Sequence, residues 1–391
     1  MNNNLSIYIH FPFCAQKCNY CNFYSIDDKL NLIPDWTAAL LKEIDIYSNL
    51  IKNSVVRTIY FGGGSPNLLP QDDFQKIIDE IQKHLSISAL EEFTFELNPS
   101  DVAPEFLNQL KQGGVDRISM GAQSFSSKEL AILGRSHTPE QIYHTLDLIK
   151  QANFTKINLD LIFGIPEQSL DNWLNYLENI LALEVNHLSL YNLTYEPGTT
   201  LTRMVEDKKY DKLDENLEWQ MYAFAHNFLE NNGFNHYEIS NWAKPEYKSI
   251  HNQVYWKGGA YLGLGPGAHS YYNKIRRWNK KDLVGYINKL QKDQKPPLQQ
   301  EDIDQKKNQI ERLFLTLRTK SGMKYNELAK LYNFPQKSAK AILTKELSQY
   351  IDDELIILYK NHFKLTLKGW FVSNSLVIKI SDILDKYNHE G

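Results

Sequence analysis

Cysteine is nearly absent from this sequence: three residues in 391, at positions 14, 18 and 21. An odd number crowded into one short stretch cannot build a disulfide framework, and a reducing compartment would keep all three as thiols free to take a metal. Long apolar runs are missing too. No stretch of about 18 hydrophobic residues offers itself to a bilayer, and the opening MNNNLSIYIHFPFC has neither the basic start nor the apolar middle of a secretory leader. Both absences predict a cytoplasmic protein. Charge of one sign is not in excess: 43 Lys+Arg against 47 Asp+Glu leave a formal net charge of -4, which removes the electrostatic basis for coating nucleic acid. Apolar residues at 42% and charged residues at 23% exclude global disorder, and the length suits two or three domains.

What is present is alternation. SIYIH (6–10), RTIYFG (57–62), EFTFEL (92–97), DRISMG (116–121), KINLDLIFG (156–164) and HLSLYN (187–192) read as strands, while 34–50, 71–84, 103–112, 139–152 and 169–183 repeat apolar residues at helical spacing. Six such units predict an α/β fold with a partial (β/α)6 barrel of TIM type over residues 1–240. A doubly wound sheet would alternate in the same way. Ser126 with Glu129 suits a capping box and Gly134 a helix stop, and Pro104 and Asp72 suit first-turn positions. Residues 241–304 lose the rhythm; they are rich in Gly, Tyr and Trp, then polar and Lys/Gln-rich from 280, and are expected to form an irregular segment and an exposed linker. From 305 to 391 the order becomes three helices, two strands (353–359 and 363–367) and a last apolar segment, as in a small winged-helix-like α+β domain. Eight Lys against seven Asp+Glu after residue 330 give that domain little electrostatic support for reading DNA, so protein contact or closure of the barrel is expected of it.

In a β/α barrel the chemistry collects at the C-terminal ends of the strands. Cys14, Gly62 to Gly64, Glu96, Gly121 to Gln123, Asp160 and Gly164 all fall there. The C-x3-C-x2-C spacing supplies three corners of a cubane iron–sulfur cluster and leaves one iron open to a small ligand; zinc completed by a histidine such as His10, or ordinary thiols, are the other readings. His10, beside the loop, suits a hydrogen bond to a cluster sulfur or simple packing. The GLGPG run at 263–267 lacks the strand–helix–strand setting of a dinucleotide site.

Cys14, Cys18 and Cys21, with Tyr20 before the third and YFGGGSPN at 60–67 on the second strand, closely resemble the radical S-adenosylmethionine superfamily. The resemblance implies a 4Fe-4S cluster held by the three thiolates, its open iron chelating the amino and carboxylate groups of S-adenosylmethionine. Within the superfamily the chain is similar to the group that contains oxygen-independent coproporphyrinogen III oxidase and the heme chaperones, through YIHFPFCAQKCNYCNF, FGGGSPN, FELNP, GAQSF, LGRSH, NLDLIFGIP, HNQVYW and GLGPGAHS. By position this implies that Tyr8, Tyr20, Gly63, Gly64 and Ser65 border S-adenosylmethionine, and that Glu96, Gln123, Arg135 and Asp160 hold its polar groups.

Two departures favour the chaperones. The oxidases carry a fourth Cys two residues beyond the third, where this chain has Phe23, and they have a sizeable segment ahead of the cluster motif, where this chain has 13 residues. The H-N-x-x-Y-W motif of the chaperones is present as His251, Asn252, Tyr255 and Trp256. Here the resemblance implies His251 as a ligand to heme iron, the bland alternative being a hydrogen-bonded knot in the core; His269 is a second imidazole to consider. The expected function is therefore to bind heme and transfer it to an acceptor hemoprotein, respiratory or other, with room for a homodimer and for peripheral association with membrane hemoproteins. Radical oxidative decarboxylation of coproporphyrinogen III is the alternative.

Overall fold

The computed structural model describes residues 4–100 and 102–387; positions 1–3 and 388–391, where the first and last expected domains begin and end, lie outside the described residues. Six strands, β1 (Asn4–Phe11), β2 (Val55–Gly63), β3 (Glu92–Leu97), β4 (Arg117–Gln123), β5 (Lys156–Phe163) and β6 (His187–Asn192), pair in chain order and in parallel. Helices Ile33–Ile46, Gln71–Gln82, Pro104–Gln112, Pro139–Gln151 and Leu170–Ala182 return between them. Instead of closing, the sheet grows at both edges. β8 (Asn241–Ala243) adds antiparallel to β6 and carries β7 (Asn235–Glu238) antiparallel on its outer edge, while β9 (Tyr261–Leu264) adds parallel to β1 and leads to β10 (His269–Tyr272), β11 (Ile275–Asn279) and β12 (Leu298–Asp302), giving twelve strands in one open sheet among the described residues.

A period of two along each strand sorts the residues onto opposite faces. Ile7, Ile9, Ile59, Phe61, Phe93, Phe95, Ile118, Met120, Leu159 and Leu188 are buried against Trp36, Leu40, Phe74, Leu107, Ile142 and Trp173 of the helices, all in one core. Each such side chain contributes about 1.5–3 kcal/mol by burial. The alternate positions, Ser6, Tyr8, Thr58, Tyr60, Glu92, Glu96, Ser119, Asn158, Asp160, His187 and Ser189, hold polar groups on the concave side. A closed TIM barrel fills that side with branched apolar side chains; here it is left for chemistry.

The local signals place the boundaries. Pro104 opens its helix, Thr138 and Gln141 form a reciprocal capping box, and Gly134 stops Ser127–Leu133 at φ 69. Ser126 accepts from the Glu129 amide, but Glu129 does not return the bond. Its carboxylate turns inward to accept from Ser124 Oγ at 2.6 Å, Gln168 Nε2 at 3.1 Å and Tyr176 Oη at 3.2 Å.

Residues 280–304, expected as an exposed connection, are integrated through most of their length. Helix Leu283–Gln291 buries Leu283, Tyr286, Ile287 and Leu290 against Ile33–Ile46, and β12 pairs with β11. Buried Glu43 pins this region to the barrel, accepting from Gly265 N at 2.8 Å, Asn279 Nδ2 at 2.7 Å and Tyr286 Oη at 2.6 Å. Beyond it, helices Gln305–Leu317, Tyr325–Tyr332 and Gln336–Glu346, the small antiparallel sheet of β13 (Met323–Lys324), β14 (Ile356–Leu358) and β15 (His362–Leu365), and helix Ser373–Tyr387 make a winged-helix-like unit with its own core around Leu313, Leu328, Leu343, Phe363 and Val377. Backbone bonds from Ile239 N to Arg318 O at 2.9 Å and from Lys320 N to Tyr237 O at 3.0 Å join it to the barrel. Among the described residues no helix is long and apolar enough to cross a membrane.

Candidate functional site

The loop after β1 carries three free thiols, with Cys14 buried and Cys18 and Cys21 half-buried. Its path is set by backbone bonds. Cys14 N donates to Ile26 O at 3.0 Å, Ile26 N to Pro12 O at 2.7 Å, and Asn19 N to Leu133 O at 2.9 Å. The two residues just after β2 hold it from the other side: Gly64 N donates to Phe11 O and Ser65 N to Phe13 O, both at 2.7 Å. A methyl at Gly64 would lie 2.2 Å from Phe13 O and 3.0 Å from Cys14 Sγ, and Gly63 stands at φ +118 with His10 Nδ1 2.7 Å from where its Cβ would be. Two strand ends thus approach as closely as only glycine permits.

Beneath this loop lies a cavity of about 510 Å³, lined by all three Cys, Tyr20, Gly63, Gly64, Ser65, Glu96, Gln123, Arg135 and Asp160. Eight strand-end and loop residues singled out in the sequence therefore share one wall with the thiols or face them. Glu96 accepts from Tyr60 Oη at 2.7 Å and Gly63 N at 3.0 Å, yet burial still raises its pKa to about 7. Asp160 accepts from Asn158 Nδ2 at 2.8 Å and Ser119 Oγ at 3.4 Å, and burial raises it as well. Arg135 makes no surface ion pair: Nη1 reaches Cys18 Sγ at 3.4 Å while Nη2 donates to Asn98 Oδ1 at 2.7 Å and Gly121 O at 2.9 Å. Ser65 Oγ accepts from Asn98 Nδ2. Gln123 sits at φ 66, after the bulge where β4 shifts register against β5, which turns its amide toward the cavity.

The donors fit a cluster better than a single zinc ion. Tetrahedral zinc with bonds of about 2.3 Å draws its thiolates to about 3.8 Å from one another. The one group of His, Cys, Asp or Glu donors found within 4.8 Å of one another among the described residues is Asp45, Glu80 and His84, far from this loop in sequence; the three sulfurs are spread more widely. Two polar atoms on the wall, Arg135 Nε and Asn192 Oδ1, are buried without a protein partner. Such atoms await a polar guest.

Four residues stand off this wall. Tyr8 lies behind Tyr60, ring centroids 5.9 Å apart, and its hydroxyl meets His10 Nδ1 at 3.1 Å. His10 Nε2 donates to Tyr24 O at 2.8 Å, so both its nitrogens are engaged within the protein and neither is free for a cluster sulfur; burial lowers its pKa to about 4. His269 is exposed and stacks on Trp278 at 5.5 Å. His251 is 1% exposed on helix Ile250–Trp256 and is knotted into the barrel base. Thr58 Oγ1 donates to Ser6 Oγ at 2.8 Å, so toward His251 it accepts from Nδ1–H, at 2.7 Å. Nε2 is then the acceptor and takes the Tyr255 hydroxyl at 2.8 Å. Glu92 completes the knot by capping the helix, accepting from Ser249 Oγ, Ile250 N and His251 N at 3.1, 2.9 and 3.0 Å. In this conformation the hydrogen-bonded knot describes His251, and a ligand role requires Tyr255 to leave.

Other cavity residues went unnamed in the sequence reading: Tyr60, Asn98, Arg117, Asn158, His187 and Asn192. Strand alternation could have found most of them, because each lies an even number of residues from a polar strand-end position or just past the strand.

An open parallel β/α sheet whose first loop presents three thiols over a polar cavity defines a radical S-adenosylmethionine protein. The family model of that superfamily matches residues 8–180, and the model of the HemN C-terminal domain matches 304–372. The heme chaperone HemW of Lactococcus lactis is 32% identical over 384 residues, covering 98% of each chain, and that of Escherichia coli is 38% identical over 267 residues, covering 68% of this chain and 69% of the other. The structure of coproporphyrinogen III oxidase (HemN) from Escherichia coli is similar in fold, with a TM-score of 0.82 at 20% identity, over 99% of this chain and 91% of that one. The chain belongs to the radical S-adenosylmethionine superfamily and, within it, to the HemW family. Membership of the superfamily implies a 4Fe-4S cluster and S-adenosylmethionine.

Proposed function

We propose that this protein is a heme chaperone, binding heme through His251 and passing it to an acceptor hemoprotein while Cys14, Cys18 and Cys21 hold a 4Fe-4S cluster. Bound together, the cluster and S-adenosylmethionine supply a one-electron centre that senses redox state. The residues of the chain do the holding. Glu96, oriented by Tyr60 and Gly63, faces the ammonium of the ligand; Arg135 faces its carboxylate; Asp160 accepts from ribose hydroxyls. Tyr20, Gly63, Gly64, Ser65 and Gln123 shape the walls, and Tyr8 supports Tyr60 from behind.

The observation that carries the reading is the state of His251. Thr58 fixes the Nδ1–H tautomer and burial lowers the pKa to about 3, so Nε2 keeps its lone pair throughout the physiological range. Two further points support it: position 23 holds a phenylalanine, 65% exposed, rather than a fourth thiol, and the relatives that match along the chain bear the name heme chaperone. The test is anaerobic reconstitution followed by iron, sulfide and heme quantitation and a porphyrinogen turnover assay on the same sample. Iron and sulfide of about four each per chain, a stoichiometric Soret band lost in His251→Ala, heme transfer to an apo-hemoprotein and no decarboxylation are expected. Efficient conversion of coproporphyrinogen to protoporphyrinogen would overturn the proposal in favour of the oxidase.

A further inference from the structure

We infer that heme iron reaches His251 from the crevice between helices Ile250–Trp256 and Gln305–Leu317, and that Tyr255 is the hydrogen-bonded stopper that must turn aside to admit it. This rests on His251 being the ligand.

The direction follows from the ring. The Nδ1 edge of His251 is committed to Thr58 and Ser6 in the barrel wall, and the Tyr60 ring, 5.1 Å away centroid to centroid, covers it on the side of the thiol-bearing cavity. His251 does not line that cavity. The coordinating nitrogen, Nε2, points the other way to Tyr255, and Tyr255 itself lines a separate crevice of about 80 Å³. Opposite it stand Asn308, Glu311, Arg312 and Leu315 of helix Gln305–Leu317. The side chains there suit heme. Tyr255 and Tyr261 meet edge to face at 4.8 Å and Tyr271 follows at 6.4 Å, a run of rings leading from the imidazole outward. One guanidinium lines it: Arg312 donates to a main-chain carbonyl, Lys257 O, at 2.8 Å, keeping its charge for a propionate, while the lining carboxylate of Glu311 is already paired with Arg276.

The crevice is far smaller than a porphyrin, so admission requires the two helices to part; the Tyr255 O–H to Nε2 bond then breaks and an iron–Nε2 bond takes its place, with no change of oxidation state. The stopper explains why a chain built to surrender heme keeps its ligand masked. On release, the hydroxyl recaptures Nε2.

The experiment is heme titration and stopped-flow binding to the cluster-loaded full chain. Removing a neutral hydrogen bond of ordinary strength predicts that Tyr255→Phe binds heme roughly 2- to 12-fold more tightly, with faster association and an unchanged histidine-ligated spectrum. Leu315→Trp, and independently Asn308→Trp, fill the crevice and should each weaken heme binding at least tenfold while leaving cluster content and melting temperature near wild type. Unchanged or weaker binding in Tyr255→Phe with the spectrum retained would overturn the stopper, and full binding in both tryptophan variants would overturn the crevice; either result leaves His251 as ligand. Retention of the wild-type spectrum and affinity in His251→Ala would instead remove the ligand on which both rest.

Discussion

Replacing Gly64 by alanine should empty the cluster site while leaving the barrel folded. The new methyl would lie 2.2 Å from a carbonyl oxygen, Phe13 O, and 3.0 Å from Cys14 Sγ. Both neighbours belong to the segment that carries the first thiol, and the nearer is a main-chain oxygen. Relief therefore has to separate the two strand ends, stretching the bonds from Gly64 N to Phe11 O and from Ser65 N to Phe13 O. Two such bonds at about 1 kcal/mol each, with about 1–3 kcal/mol for overpacking, put the local cost at roughly 3–5 kcal/mol. That cost falls on the position of Cys14. Gly62→Ala is the matched control, because the nearest neighbours of its methyl are side-chain atoms of Glu96, first contact 2.7 Å, rather than atoms of the thiol-bearing segment. After anaerobic reconstitution, iron and sulfide per chain and the charge-transfer absorbance of the cluster should fall below half in Gly64→Ala and remain near wild type in Gly62→Ala. Circular dichroism should show the apo forms folded. Full cluster content in Gly64→Ala with an unshifted apo melting curve would refute the close approach as the reason for glycine there.

Three further outcomes follow from the same geometry. Glu96 has a folded-state pKa of about 7, above the usual carboxylate value; the folded state binds the extra proton, so its contribution favours folding at low pH and is lost as pH rises from about 4.5 to 7. Apo wild type should accordingly fall in melting temperature relative to Glu96→Gln across that window, and parallel curves would contradict the assignment. Glu92→Gln keeps one acceptor oxygen but sets an amide against a backbone N–H of helix Ile250–Trp256, costing about 2–4 kcal/mol through a lost charge-assisted bond and a lost helix-terminus charge; hydrogen exchange should show faster opening of residues 250–256, and unchanged protection there would count against the cap. Arg135→Met removes the cation that touches Cys18 Sγ, so the cluster should form but with a more negative reduction potential in an EPR-monitored titration, whereas an unmoved potential would place the guanidinium outside the field of the cluster.

The sequence showed the six parallel strands within a residue or two because their alternation is uninterrupted and each is followed by a long amphipathic segment. Leu283–Gln291 escaped notice because the Lys- and Gln-rich residues flanking it, 280–281 and 291–295, outweighed four apolar residues at helical spacing, and β7 to β12 because strands of three to five residues around Gly and Tyr carry too few periods to register. The thiols and strand-end carboxylates were legible from spacing and position. His251 was legible as a residue and only partly as an environment: Tyr255 lies four residues on along the same helix, but that Thr58 and Glu92 converge on it depends on two strands meeting that helix, which no local pattern records.

The polar concave face has a consequence for how this fold changes over time. Along β5, Ile157, Leu159 and Leu161 hold the sheet to its helices while Asn158 and Asp160 line the cavity. Stability and chemistry are written on alternate letters of the same strand, a single residue apart and on opposite sides of the backbone. A lineage can therefore rewrite what the cavity binds, position by position, without disturbing the packing that keeps the sheet together, and an engineer who wants a different guest has the same freedom.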